Sequence, residues 1–368
     1  MRIFPGMYLA DPTSYFHSKK ESKESCVEDI SGPQHTLVLL ADLGSADDPK
    51  MTEQEILRFM DQVNQFYQED SYGKINLKGA IHPEQSADVF GWYHLSLPEK
   101  SPIEGVTRAA IHAADPEVDF KNYSRLIILS DFSLPSEGYG TLGKVPIHTQ
   151  EGWVSLSIAN VTTTAKWIPG LIAHELGHGF GLGHADFLDC GAFSIPRTIT
   201  ETQSCSLDRY GDLYSVMGSF YAGLVYNNAR HKVSLGWLNE PRLLTVTSSG
   251  TFSLEPIETN TEGLKVLKVG DLLIEYRQPI GNDISLTAYG TWWTNVFDGA
   301  LIHYAEQVPS NASLLIEATP PGNGDTPTLD GGNFLVEPST GATLTILENA
   351  EDTENPANSR LFVKVTFP

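Results

Sequence analysis

The first continuous apolar run, HTLVLLADL from His35, has the length and content of a buried strand. After it, Ile56, Phe59, Met60, Val63, Phe66 and Tyr67 recur at helical spacing. Thr52 and Glu55 form a capping box at the start of that helix, and Ser71-Tyr72-Gly73 stops it. Lys74 to Ile81 alternates like a strand, Ser101-Pro102-Ile103-Glu104 opens a second helix ending near Pro116, and Arg125 to Ser130 reads as another buried strand. Trp153 to Ile158 sets Val154, Leu156 and Ile158 against Ser155 and Ser157, the pattern of a half-exposed strand. A helix is expected from about Thr164 to Phe180.

From about Pro241 the texture changes. Short apolar segments (243–246, 251–254, 264–269, 272–276, 300–304, 313–316, 342–347 and 361–366) are separated by Gly, Pro and Asn turns, which predicts an all-β module of sandwich type. Before residue 35 the chain is polar and irregular, and Ser18 to Glu28 reads as a flexible arm or propeptide remnant. The expected organisation is therefore an arm at 1–34, an α+β domain at 35–240 and a β domain at 241–368.

Composition narrows the partners. The 368 residues hold 24 Lys plus Arg against 46 Asp plus Glu, a net charge of −22, and the one basic stretch, Lys19 to Lys23, contains Glu21. Phosphate backbones need a cationic surface, so nucleic acid is excluded as a partner. No apolar run approaches the roughly 20 residues of a membrane span. Three cysteines are too few for a disulfide scaffold. Cys190 and Cys205, 15 residues apart, are placed to close one bridge in an oxidising compartment, with two free thiols as the alternative and Cys26 left over. MRIFPGMYLADP lacks the apolar centre of a signal peptide, so secretion requires a leader outside this numbering.

The chemistry is concentrated at residues 174–184, HELGHGFGLGH, which fits HExxHxxGxxH. His174 and His178 stand at i and i+4, so both imidazoles project from one side of a helix toward one cation. Glu175 lies about 100° round the helix, within reach of a water on that metal without ligating it. Gly181 can take the positive φ that turns the chain and returns His184 as a third ligand. Three neutral imidazoles leave a fourth position open, the arrangement of a catalytic zinc. HExxH alone arises by chance in about two such chains in a hundred; the added Gly and His make chance a poor account.

This motif resembles that of the metzincin metalloproteases. Tyr210 to Gly218, YGDLYSVMG, is similar to their methionine turn, with Met217 as the apolar floor under the zinc. The YGDxxxVMG wording, the two cysteines before it, His231-Lys232, Leu235-Gly236-Trp237 and IEYRQPIG at 274–281 resemble the gametolysin and immune inhibitor A type families. The resemblance implies a metzincin catalytic domain, a mixed twisted sheet with an active-site helix, followed by the β-sandwich. It implies a secreted, monomeric zinc endopeptidase acting on proteins or glycoproteins, in which Glu175 is general base to the attacking water. It also implies that Trp153, Val154, Ser155 and Leu156 lie on an edge strand that pairs with substrate, and that Ser219 begins a pocket wall. Ser219 stands where some metzincins carry a tyrosine; Tyr221 is a substitute or a wall residue.

Secondary signals are weaker. Asn323-Gly324-Asp325 with Asp330-Gly331-Gly332 offers oxygen ligands of the kind calcium takes, though solvated turns look the same. Asn122, Asn160 and Asn311 sit in glycosylation sequons, Cys26 is a candidate latency ligand, and Trp292-Trp293 reads as sandwich core or an exposed contact. A binding protein on a degenerate metzincin scaffold and a zinc amidase acting on a non-protein amide are the competing functions.

Overall fold

The computed structural model describes residues 30–43, 50–98, 100–190, 205–219, 223–289, 295–305, 311–318 and 327–368. Cys26, the Ser18 to Glu28 arm, Tyr221, Trp292-Trp293 and Asn323-Gly324-Asp325 lie outside them. Two compact units divide the chain: 1–68 with 73–181, and 69–72 with 182–368.

The first unit is built on a seven-stranded sheet. Its strands are β1 (Gly32–Asp42), β2 (Ile75–Lys78), β3 (Asp88–His94), β4 (Arg125–Ser130), β5 (Gly138–Gly140), β6 (Val145–Thr149) and β7 (Gly152–Thr162). β2 and β3 pair parallel along one side of β1, β4 pairs parallel on the other, and β7 follows parallel to β4. β1 and β4 are apolar and almost wholly buried, as strands interior to a parallel sheet must be. The helices are α1 (Glu53–Asp70), α2 (Ile103–Ala114) and α3 (Ile168–Gly179). The capping box forms at α1: Thr52 N–H donates to Glu55 Oε2 at 2.8 Å, and Glu55 N–H to Thr52 Oγ1 at 3.3 Å. α2 buries Val106, Ala110 and Ile111 in one core with Leu37, Leu126, Leu156 and Ile158.

Among its described residues the second unit has two sheets. Eight strands form the larger: β8 (Ala185–Asp189), β9 (Ser206–Asp208), β10 (Leu243–Thr245), β12 (Val266–Val269), β13 (Leu272–Tyr276), β14 (Gly299–Tyr304), β15 (Ser313–Ile316) and β16 (Leu329–Asp330). Four form the smaller: β11 (Gly250–Leu254), β17 (Phe334–Val336), β18 (Thr343–Ala350) and β19 (Arg360–Thr366). Leu267, Ile274 and Ile302 of the first share one buried core with Leu254, Leu344 and Val363 of the second, so the sheets pack face to face as a sandwich. α4 (Ala229–Ser234) lies between β9 and β10 in the chain, its Asn228 cap accepting from His231 N–H.

Several expectations need correction. Residues 182–240, assigned from sequence to the first domain, count with the second unit, because β8 pairs parallel with β15 and β9 with β8. The strand expected from His35 begins earlier, at Gly32, so the arm does not extend to 34. α3 starts at Ile168 rather than Thr164, since Pro169 lacks an N–H and its ring disfavours helix upstream. The β module also contains a 3₁₀ helix, Gly281–Tyr289. Asn160 is buried and its side-chain oxygen accepts from Thr107, so a glycan does not fit there in the folded chain; Asn122 and Asn311 are exposed.

Cys190 and Cys205 form a disulfide, 15 residues apart. Replacing both by serine is expected to lower stability by about 3 kcal/mol through the released loop. Urea unfolding of the double variant measures it, and an unchanged midpoint contradicts it.

Candidate active site

α3 carries the motif. It is apolar almost all round, with Leu171, Ile172, Ala173 and Leu176 buried, so its polar residues face inward. His174 and His178 lie edge to face with ring centroids 4.9 Å apart, one turn along the helix. The helix closes through Phe180 N–H to Leu176 O at 2.8 Å, and Gly181, at φ 100°, turns the chain out of it as the sequence required. His184 follows, and one ring nitrogen from each of His174, His178 and His184 lies within 4.8 Å of the others. All three imidazoles are buried. Three neutral nitrogen donors with no fourth His, Cys, Asp or Glu in the group, among the described residues, suit zinc with an open coordination position.

A family model described as Metallo-peptidase family M12 matches residues 37–221. The chain belongs to this family. No curated protein is similar enough to the chain to count as a match. M12 metallopeptidases use zinc, the three histidines fit a zinc site, and a protease family implies protein substrates.

Glu175, beside the first histidine, is buried, and burial pushes its carboxyl up to about 8. A dication held by the three histidines would favour the charged form and oppose that shift. Strand β5 lies against it. A Cβ on Gly138 would stand 2.5 Å from Glu175 Oε1, and one on Gly140 would stand 2.8 Å from Oε2 and 2.9 Å from His178 Cβ. The two glycines let backbone approach where any side chain would collide. Gly140→Val is therefore expected to shift β5 off the helix and reduce kcat/KM by about tenfold to a hundredfold, at a cost of about 1–3 kcal/mol in stability. Kinetics with a urea titration test this; wild-type values in both would show the approach to be unimportant.

Further contacts hold α3 in place. Tyr67 O–H donates to Ala173 O at 2.5 Å, and its ring meets Phe180 edge to face. The buried Arg125 guanidinium donates from Nη1 to Gly179 O at 2.7 Å and Ser157 Oγ at 3.1 Å, and from Nε and Nη2 to Gln34 Oε1. A cation at the helix C-terminus complements its dipole one residue beyond His178.

Trp153 to Leu156 are not the free edge expected. β6 pairs antiparallel with Gly152 to Leu156, β5 with Ala159 to Val161, and β5 ends the sheet order. Val154 and Leu156 are core, while Ser155 is exposed and Trp153 points out against His148. The strand was legible in its alternation; the short, glycine-rich β5 beside it carried no apolar period, and the Gly138-Tyr139-Gly140 spacing was its only signal.

Met217 is fully buried, and its carbonyl accepts from Ala185 N–H at 2.9 Å. Ser219 is half-buried and donates its N–H to Tyr210 O at 2.9 Å. The aromatic against the third histidine is Tyr210, which reasoning from the motif passed over: its ring lies 3.9 Å from that of His184, tilted by 35°. Its φ of 63° is held by N–H donation to Asp186 Oδ1 at 2.9 Å.

Proposed function

We propose that this chain is a secreted, monomeric endopeptidase of metzincin type, similar to the gametolysin and immune inhibitor A families. Its substrates are proteins, glycoproteins included. The observation that carries the reading is the buried group of three imidazoles with Glu175 beside it and outside the ligand set.

In this reading His174, His178 and His184 would hold zinc, which when bound would supply the Lewis acidity that polarises the scissile carbonyl and acidifies water. Glu175 takes the proton of the attacking water on a side-chain oxygen and passes it to the leaving amine as the C–N bond breaks. Gly138 and Gly140 keep that carboxylate packed under the backbone of β5. An extended peptide then pairs with the outer side of β5 and β6 rather than with Trp153 to Leu156, its backbone hydrogen bonds giving affinity. Trp153 and Ser155, on the exposed face of β7, flank the bound chain. The disulfide fits an oxidising compartment, and no helix among the described residues is long and apolar enough to cross a membrane.

The test is metal analysis of the purified chain, with cleavage of casein and of a glycoprotein followed by mass spectrometry, with and without chelator. One zinc per chain and chelator-sensitive cleavage are expected. Full zinc with no turnover on any peptide would make it a binding protein; turnover confined to non-protein amides would make it an amidase.

A further inference from the structure

Beyond residue 221, where the family match ends, the chain still contributes to the segment around the methionine. Asp212, five residues before Met217, is fully buried and accepts three hydrogen bonds. Oδ1 takes Tyr214 N–H at 3.1 Å, closing the turn locally. Oδ2 takes Asn228 Nδ2 at 2.7 Å and faces His303 Nε2 at 3.2 Å. Asn228 caps α4 and His303 sits in β14, so both partners come from sequence beyond the matched stretch.

The same aspartate is tied to the third histidine by the backbone. Asp212 N–H donates to Ala185 O at 3.3 Å, and Ala185 N–H donates to Met217 O at 2.9 Å. His184 O accepts from Ser313 N–H of β15 at 2.9 Å. Two residues before Asp212, Tyr210 lies on the His184 ring. Close packing leaves no slack: a Cβ on Gly218 would stand 1.9 Å from Asp212 O. Asp212 thus holds both ends of a short loop, one carrying the aromatic against His184 and the other carrying Met217. Burial acts to raise its carboxyl, but the His303 hydrogen bond and the charges of His303 and Arg277 hold it below the ordinary range.

We infer that Asp212, fixed by Asn228 and His303, is a positioning residue for the metal centre, so that β14 and α4 of the second unit set the placement of His184 and Met217. The inference rests on the zinc reading above. Groups behind metal ligands typically change metal affinity or activity by about tenfold to a hundredfold when removed. His303→Leu removes one donor to Oδ2 at similar volume; His303→Gln keeps an N–H donor.

The experiment compares wild type, His303→Leu, His303→Gln and Asn228→Ala as full chains. It reads zinc affinity by chelator competition, the visible spectrum of the cobalt(II)-substituted protein, kcat and KM separately, and thermal unfolding of each. Expected are zinc affinity lowered about tenfold to a hundredfold and altered cobalt bands in His303→Leu, kcat falling with little change in KM, and recovery toward wild type in His303→Gln. A folded His303→Leu with wild-type zinc affinity, cobalt spectrum and kcat overturns the inference. Should His303→Leu not fold, Asn228→Ala decides in the same way, wild-type metal affinity and spectrum counting against. If wild type itself binds no zinc, the zinc reading and this inference fall together; if it binds zinc and the variants are unaltered, only the inference falls.

Discussion

Glu175→Ala is expected to retain one zinc per chain and lose kcat/KM on a protein substrate by about a hundredfold to ten-thousandfold. The two halves of that expectation have separate causes. Zinc is retained because the donor group consists of His174, His178 and His184, and Glu175 is not among them. Cleavage is lost because the proposed chemistry routes the proton of the attacking water through the Glu175 carboxylate, which the alanine variant lacks. Glu175→Gln separates charge from shape: it fills the same space against Gly138 and Gly140 yet cannot accept the proton, so it should be as inactive as the alanine variant. Metal analysis and steady-state cleavage of casein check both. Activity within a few-fold of wild type in either variant would remove Glu175 from the chemistry, and loss of zinc would return it to the structural role of supporting the ligands.

The cluster of three histidines was legible in the sequence because each requirement is local. The i, i+4 spacing, the neighbouring Glu and the turn at Gly181 all fall within 174–184, and local backbone geometry decides them. The capping box of α1, the buried strands β1 and β4, and the alternating β strands after 241 were legible for the same reason. What the sequence did not show depends on partners far along the chain. β8 has no strong period, and it joins the second unit because β15, more than a hundred residues later, offers it a parallel neighbour. β5 is three residues with two glycines, and its meaning lies in the Glu175 carboxylate it approaches. Trp153 to Leu156 had the right alternation for an edge strand, but alternation reports one buried face, and a strand with neighbours on both sides satisfies it equally. Asp212 lies within the methionine-turn wording, and neither spacing nor composition could link it to His303, 91 positions away.

Arg277→Met is expected to destabilise the chain by about 3–5 kcal/mol, the cost of stranding buried charges. Arg277 lies in the string IEYRQPIG, which in the sequence was only a point of resemblance; in the fold it is the cation of a buried cluster. Its guanidinium is wholly inaccessible, donating from Nε to Glu275 Oε1 at 2.7 Å and from Nη1 to Asp283 Oδ2 at 2.8 Å, with both carboxylates equally buried. Burial works against its charge, but Glu275, Asp283 and Glu258 push its protonation further up, so it stays cationic at every accessible pH. Around it, Glu275 Oε2 accepts from Ala229 N–H at the start of α4, and Asp283 Oδ1 from Tyr226 N–H at 2.9 Å. Methionine fills much of the volume but leaves Glu275 and Asp283 without their counterion. Arg277→Lys should recover only part of the loss, since one ammonium cannot reproduce a two-sided fork. The pH dependence gives the decisive sign. Carboxyls stranded without a cation have folded pKa values above their unfolded values of about 4. Their penalty is therefore full above the folded pKa and shrinks as pH falls through it. The stability gap between wild type and Arg277→Met should narrow as urea titrations move from pH 8 toward pH 5. A gap independent of pH would mean that the loss comes from packing, and a gap under about 1 kcal/mol would mean that the cluster is no more than a surface-like ion pair.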